Sequence, residues 1–261
     1  MFRPSQYYPW LSGAIALLMT GCSQADDPTR LPALQALEAQ GIQIIAEFDI
    51  DDSLRAFAGS AGGQPIAVYV TPDGNAIVGT RVGSDGTHLD ERQLQQLVAE
   101  PLTQRAWSRL EASGWVQDGD DRASRIVYTF SDPNCPYCNK FWEAARPWVE
   151  AGEVQLRHVM VGMIRADSAS KAAAILEASN PSAALKKNEA EFADGGITPA
   201  ETVSDSAQET LAANQMLMMS LGFRGTPGIV AKGQNGSLQT LAGLPQPKAL
   251  LELFGPFPDP D

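Results

Sequence analysis

Two hydrophobic periods alternate along the chain. Ile42, Ile44, Ala46, Phe48 and Ile50 alternate with Gln43, Glu47 and Asp49, a two-residue repeat that predicts a strand with one buried face. Ahead of it, Leu31, Leu34 and Leu37 recur at three-residue steps and predict a helix over 29–40, closed by Gly41. Two more strands are expected over 66–70 and 77–82, joined by Thr71-Pro72-Asp73-Gly74-Asn75, whose Pro-Asp-Gly order suits a tight turn. Asp51-Asp52-Ser53 reads as a turn and 59–63 as a glycine-rich connection. The result is a small α+β unit, ended by Gly83-Ser84-Asp85-Gly86, whose core is marginal and should lean on another surface.

From Asp90 to Ser113 the period is helical, with Leu94, Leu97, Val98, Leu102, Ala106 and Leu110 apolar and a break expected at Pro101. This stretch reads as a linker or stalk, with Trp107 and Trp115 covering its junction with the next domain and 118–121 a solvated turn. Strand pattern then begins at Ile126 and runs to Phe130. After a short polar loop, Cys138, Phe141, Trp142, Ala145, Trp148 and Val149 come at helical spacing. A strand is expected over 154–163, with Val154, Leu156, His158, Met160 and Gly162 on one face. Residues 166–221 are alanine-rich and helical: Ser168 and Asn180 are candidate caps, and Ser206-Ala207-Gln208-Glu209 is a candidate capping box. Strands over 228–232 and 238–241 and a helix over 247–254, ended by Gly255, close the pattern. The order is βα, a helical insert, then ββα, which predicts a thioredoxin-like fold interrupted after its second strand. The overall class is α+β: an export segment over 1–21, a small unit over 22–87, a linker helix over 88–114, and the thioredoxin-like domain over 115–261 with its insert at about 166–222.

Composition narrows the function. The 261 residues are 44% hydrophobic and 19% charged, with a formal net charge of −12, which argues against nucleic acid or an anionic membrane surface as partner. Two histidines and three cysteines are too few and too scattered for a zinc site, and no cofactor or metal is expected. Near the start, Arg3 precedes an apolar run from Leu11 to Met19, the length of a signal h-region and too short to span a bilayer. Met19-Thr20-Gly21-Cys22 resembles a lipoprotein processing site that would leave Cys22 lipidated; cleavage after Ser23-Gln24-Ala25 is the competing reading. Either way the protein is exported, with any membrane attachment made through Cys22.

Chemistry concentrates at Asp132-Pro133-Asn134-Cys135-Pro136-Tyr137-Cys138, where strand pattern gives way to helix pattern. A helix N-terminus offers free N–H groups and the positive end of the dipole, which favour a thiolate. Cys135, just ahead of the helix, is the candidate nucleophile, and Cys138, on its apolar face, the resolving thiol. Pro136 fixes one φ angle and removes a donor, and Tyr137 is left as an exposed aromatic for substrate contact. A structural role for a disulfide in so tight a ring is poor, since it closes little chain. Thr226-Pro227, between helix and strand, is the second candidate: in thioredoxin-like folds this loop packs against the dithiol with a cis bond before the proline. His88 and His158 read as structural, and Met216-Leu217-Met218-Met219 as the core side of a helix.

These motifs together resemble the DsbC/DsbG family of periplasmic disulfide-handling proteins, the DsbG branch most closely. The resemblance runs through Gly41-Ile42, Thr71-Pro72-Asp73-Gly74, Asp132-Pro133, Cys135-Pro136-Tyr137-Cys138, Phe141-Trp142, Ala145-Arg146-Pro147-Trp148-Val149, Thr226-Pro227 and Gly243-Leu244-Pro245. Pro136 is the DsbG-like choice, where DsbC-like isomerases carry glycine. The resemblance implies a V-shaped homodimer joined through the N-terminal units, and a Cys135–Cys138 pair kept reduced by a DsbD-type inner-membrane reductase. It further implies client binding of a chaperone-like kind, and reduction or isomerisation of oxidised cysteines, sulfenic acids included, in exported proteins. Lipidation at Cys22 would depart from that family. A DsbC-type disulfide isomerase, a mainly chaperone-like binding protein and a DsbA-type oxidase are the alternatives, the last disfavoured by the separate N-terminal unit.

Overall fold

The computed structural model describes residues 31–233 and 236–258. The export segment, Cys22 and the first residues of the expected 29–40 helix lie outside them. Helix α1 (Pro32–Ala39) has Pro32 in its first turn, where a missing N–H costs nothing, and gives way to Gly41 at φ 90°. Strands β1 (Ile42–Phe48), β2 (Arg55–Ala61), β3 (Gln64–Val70) and β4 (Ala76–Gly79) form an antiparallel sheet in that spatial order. Leu34 of α1 is buried on one face of it with Phe57, Val68 and Val70.

Strand β2 corrects the expected 59–63 connection. Gly59, Ser60 and Ala61 pair on both sides, with Ile44, Gln43 and Ile42 of β1 and with Ile66, Pro65 and Gln64 of β3. Only Gly62 and Gly63, at φ 56° and 83°, make the turn. Gly59 is small for a steric reason: a Cβ there would come within 2.7 Å of the Gln43 carbonyl oxygen, beside the β-bulge at Ile44/Ala46.

The linker pattern is also more than a stalk. Helix α2 (Glu91–Leu94), a π turn (Gln95–Ala99) and α3 (Glu100–Glu111) succeed one another without a gap. Pro101 does not break them. It falls in the first turn of α3, directly after the wider π turn, in which the Glu100 N–H reaches back to the Gln95 carbonyl. Val98, fully buried with Phe48, Ala56, Ala58, Ala67 and Tyr69, covers the other face of the N-terminal sheet. The same continuous segment then places Trp107 and Leu110 of α3 in the second core, where Trp107 meets Tyr128 edge-on at 5.1 Å.

That second core surrounds a five-stranded sheet in the order β5 (Trp115–Asp118), β7 (Val154–Met160), β6 (Arg125–Ser131), β8 (Gly228–Lys232), β9 (Leu238–Ala242). Strands β6 and β7 are parallel, joined by helix α4 (Pro136–Glu150); the remaining pairs are antiparallel. Alternate residues of the central strands face opposite layers. Val127, Ile229 and Ala231 pack on α4 and on α8 (Pro247–Phe254), whereas Tyr128, Phe130 and Val230 pack on α3 and on α7 (Asp205–Ser220). Helices α5 (Ser168–Leu176) and α6 (Pro181–Ala190) complete the insert between β7 and β8.

Several local expectations change. Strand β7 stops at Met160, short of 163, and the amides of Met163 and Ile164 turn instead to the Asp132 carboxylate. Asn180 does cap α6, its Oδ1 accepting from Ala183 N at 3.0 Å. For α7 the cap is Ser204 and not Ser206, with Ala207 N donating to Ser204 Oγ at 3.1 Å. Ser168 caps nothing, and its hydroxyl donates instead to the buried Asp132 carboxylate. Within 216–219, Leu217 and Met218 are buried, but Met216 and Met219 are exposed.

Residue Asp118, expected in a solvated turn, ends β5 and is largely buried. Burial opposes its charge, but the His158 imidazole, 3.6 Å away, and the two-pronged Arg146 guanidinium overcome that and hold the carboxyl at about 2. Removing the guanidinium by Arg146→Ala leaves the buried carboxylate with His158 alone and should lower the unfolding free energy by about 3 kcal/mol at neutral pH. Because the folded carboxyl value lies below the unfolded one, this wild-type advantage is present above the ordinary carboxyl range and fades as pH falls through about 2. Urea titrations across pH check both points. A loss below about 1 kcal/mol, the size of a surface pair, would contradict the assignment.

Candidate active site

The dithiol is seated by the geometry at the start of α4. Cys135 has extended backbone, φ −85° and ψ 111°, and acts as the helix N-cap, while Pro136 occupies the first helical position. The Cys135 N–H donates to the Asp132 carbonyl at 3.0 Å, and the Cys138 N–H donates to the Cys135 Sγ at 3.2 Å. A sulfur atom therefore stands where a serine or aspartate oxygen usually caps a helix.

Behind that loop is a buried polar network. The Asp132 carboxylate, 1% exposed, accepts from Asn134 N at 2.9 Å, Ser168 Oγ at 2.8 Å, Met163 N at 2.6 Å and Ile164 N at 2.9 Å. Asn134 donates through Nδ2 to Ser168 Oγ and Asp167 Oδ1, each at 3.0 Å, and accepts from the buried Lys171 ammonium at 2.8 Å. Asn188 of α6 donates to the Pro133 carbonyl at 3.1 Å. The loop before the nucleophile is thus tied to β7's exit, α5 and α6.

The second candidate loop closes over the sulfurs. The Thr226–Pro227 peptide bond is cis, Pro227 is buried, and the Thr226 carbonyl lies 3.5 Å from Cys135 Sγ. Gly243 N donates to the Pro227 carbonyl at 2.8 Å, fixing the loop to the end of β9. The Thr226 hydroxyl is buried and has no other partner, which leaves it as a donor to a thiolate at Cys135. The structure thus brings Cys135, Cys138, Thr226 and Pro227 together. Pro136 and Tyr137 project to solvent beside them, Tyr137 at 56% exposed with the Lys140 ammonium 5.7 Å from its ring.

Both cysteines are free thiols, and they are unequal in acidity rather than in exposure. Although Cys138 is the one on the apolar face of the helix, Cys135 is 2% and Cys138 3% exposed, because the Thr226 loop also covers Cys135. Cys135 is held at about 6, chiefly by a hydrogen bond from the Cys138 thiol. Burial opposes this, and the Thr226 hydroxyl and the N–H groups of Cys138 and Tyr137 reinforce it. Cys138 moves the other way: burial pushes it up first, then the hydrogen bond and charge of Cys135 add to the rise. One sulfur is a thiolate near neutral pH while the other keeps its proton.

Sequence reasoning missed the supporting polar set: Asn134, Asn139, Ser168, Lys171, Asn188 and Glu189, all buried. The available signal was polar side chains at positions where the helical period calls for apolar ones, such as Lys171 within Ser168–Leu176. Among the described residues no group of three or more histidine, cysteine or acidic side chains could hold a metal ion. Among them, too, no helix is long and apolar enough to cross a membrane.

Because the folded thiol value of Cys135 lies below the unfolded one, its ionisation stabilises the reduced fold. That contribution is full above about 9 and is lost as pH falls through about 6. Thr226→Val removes one donor to the thiolate and should raise Cys135 by about one unit. Alkylation by iodoacetamide should then slow about fivefold at about pH 6 and stay unchanged at about pH 9. An unaltered pH profile would remove Thr226 from the site.

Comparison with known proteins agrees with the geometry. Residues 120–256 match the thioredoxin-like domain family. The thiol:disulfide interchange protein DsbG of Pseudomonas aeruginosa is 40% identical over 243 residues, covering 93% of this chain and 94% of that protein. DsbG of Escherichia coli K12 is 37% identical over 227 residues, 86% of this chain and 92% of that one. Among solved structures, a periplasmic thioredoxin-like protein from Salmonella enterica serovar Typhimurium overlaps at a TM-score of 0.48 with 19% identity. It covers 57% of this chain and 94% of that one, a likeness too partial to carry functional weight. With relatives this similar over nearly its full length, and with a capped C-x-x-C dithiol under a cis-proline loop, the chain belongs to the DsbC/DsbG family of thiol:disulfide interchange proteins, closest to DsbG.

Proposed function

We propose that this interchange protein works in the periplasm as a reductase or isomerase of oxidised cysteines in exported proteins, sulfenic acids among them. The observation that carries the reading is the split between the two sulfurs: Cys135 held at about 6 and Cys138 pushed up. The Cys135 thiolate attacks one sulfur of a client disulfide, and the other client sulfur leaves as a thiolate. With a sulfenic acid the leaving group is hydroxide, which takes a proton to become water. Either attack gives a mixed disulfide. Cys138 then loses its proton and attacks Cys135 Sγ. The client thiolate leaves and is protonated, and the two electrons it has gained leave Cys135 and Cys138 as a disulfide. In isomerisation a client thiolate attacks first, and the dithiol returns unchanged.

The asymmetry suits this order. The acidic sulfur is ionised when the client arrives, and in isomerisation it is the better leaving group when a client thiolate attacks the mixed disulfide. Tyr137, exposed beside the attack site, supplies an aromatic contact for a client segment. By family likeness the proposal includes a homodimer joined through the N-terminal sheets, and reset of the disulfide by a DsbD-type membrane reductase. A chaperone-like contribution to client binding is favoured by the exposed apolar side chains of Met163, Ile164, Met216 and Met219. Lipidation of Cys22 stands as part of the same proposal and would confine the dimer to clients near a membrane.

The test is trapping. A Cys138→Ala protein expressed in the periplasm under oxidative stress should accumulate mixed disulfides with exported proteins. These should disappear on reduction and be absent from the Cys135→Ala, Cys138→Ala double variant. If none form, the reductase and isomerase reading fails. If none form and a Cys135→Ala protein still suppresses client aggregation with no loss in vivo, the chaperone-like reading replaces it.

A further inference from the structure

One buried acid beneath the dithiol helix has no part in the exchange chemistry. Glu189, on α6, is 4% exposed. Its carboxylate accepts hydrogen bonds from amide groups: Asn139 Nδ2 to Oε2 at 2.9 Å and Asn188 Nδ2 to Oε1 at 3.2 Å. Asn139 Nδ2 also donates to the Glu189 carbonyl at 2.8 Å. Asn139 is the residue directly after Cys138, and its own N–H donates to the Cys135 carbonyl at 3.1 Å. On the other side, Asn188 reaches the Pro133 carbonyl, two residues before Cys135. Asn188 and Glu189 therefore grip the dithiol turn from both ends, and the grip includes an ionisable group.

Among the described residues no salt-bridge partner faces that group directly. The charged groups around it are His158 of β7, whose attraction favours the carboxylate, and Asp118 of β5, whose charge opposes it and is itself answered by Arg146 of α4. Burial is the largest influence and pushes the Glu189 carboxyl up from the ordinary range. The dithiol turn at the start of α4 meets Glu189 through Asn139 and Asn188.

We propose that Glu189 is a positioning residue whose ionisation sets the thiol–thiolate balance of the dithiol, acting through Asn139. Protonated, it only orients the first turn of α4. Ionised, it adds a negative charge to the same low-dielectric region and opposes the Cys135 thiolate, making the reduced form less favourable and the protein a stronger reductant. The inference rests on the interchange reading, because it assigns control of that same dithiol. It predicts a driving force for client reduction that grows with pH beyond what the thiols alone would give.

Two measurements decide it. The first is the glutathione redox equilibrium of wild type and Glu189→Gln at about pH 5 and about pH 8, with thermal unfolding of both at each pH to separate loss of fold. Near pH 8 the variant should lie about tenfold further toward the reduced dithiol, one pKa unit of like-charge effect, and near pH 5 the two should agree within about twofold. A difference of the same size at both values marks a merely structural role and overturns the proposal, as does no difference at either. Wild-type protein that does not exchange with glutathione at all would sink the interchange reading itself. The second needs no variant: the 13C carboxyl resonance of Glu189 followed through pH in reduced and in oxidised protein. By linkage, Glu189 should titrate at higher pH in the reduced, thiolate-bearing form. Equal midpoints in the two forms would overturn the proposal even if Glu189→Gln does not fold.

Discussion

The Asp132 carboxylate is the joint from which the site hangs. It is nearly inaccessible to water, and a carboxylate in that position is tolerable only with its lone pairs answered. Four donors answer them, from three parts of the chain: Asn134 in the dithiol loop, Met163 and Ile164 where β7 ends, and Ser168 at the start of the insert. Because its own carbonyl receives the Cys135 N–H, the fixed carboxylate also fixes where the nucleophile sits relative to α4. The insert is thus held against the catalytic turn by a polar contact that admits one arrangement.

With Cys135 fixed as the N-cap, its chemistry is set. The first N–H groups of a helix have no partner inside the helix, so a thiolate placed there receives hydrogen bonds that a free chain would give to water. The cis-proline loop closes the open side with the Thr226 hydroxyl and carbonyl. Cys138, one turn on, is raised first by burial and then by the hydrogen bond and charge of Cys135, and keeps its proton. Two chemically identical side chains acquire opposite acidities from their places on one helix, the asymmetry that the proposed exchange uses.

Much of this was legible in the sequence, and the failures are specific. Strand–dithiol–helix order, the return to strand at Gly228 and the last helix over Pro247–Phe254 come from period alone, because each buries a full apolar face. Strand β2 was not legible: Ala56, Ala58, Gly59, Ser60 and Ala61 carry little hydrophobic signal, and their size is set by the close approach of β1. The π turn before Pro101 was invisible because the pattern marks a missing N–H and not how the backbone accommodates it. Asp118 read as a solvated charge and Glu189 gave no signal, until distant segments, Arg146 and Asn139, were brought beside them. Cysteine spacing located the reacting atoms, whereas long-range polar contacts that hold them leave almost no local trace.

One quantity carries the mechanism, the acidity of Cys135. Titrating the reduced protein while tracking the ultraviolet absorbance of the thiolate measures it directly, with the oxidised protein as blank. One thiolate should appear with a midpoint near pH 6, while Cys138 stays protonated through the neutral range. Absence of thiolate until the ordinary thiol value of about 9 would contradict the mechanism.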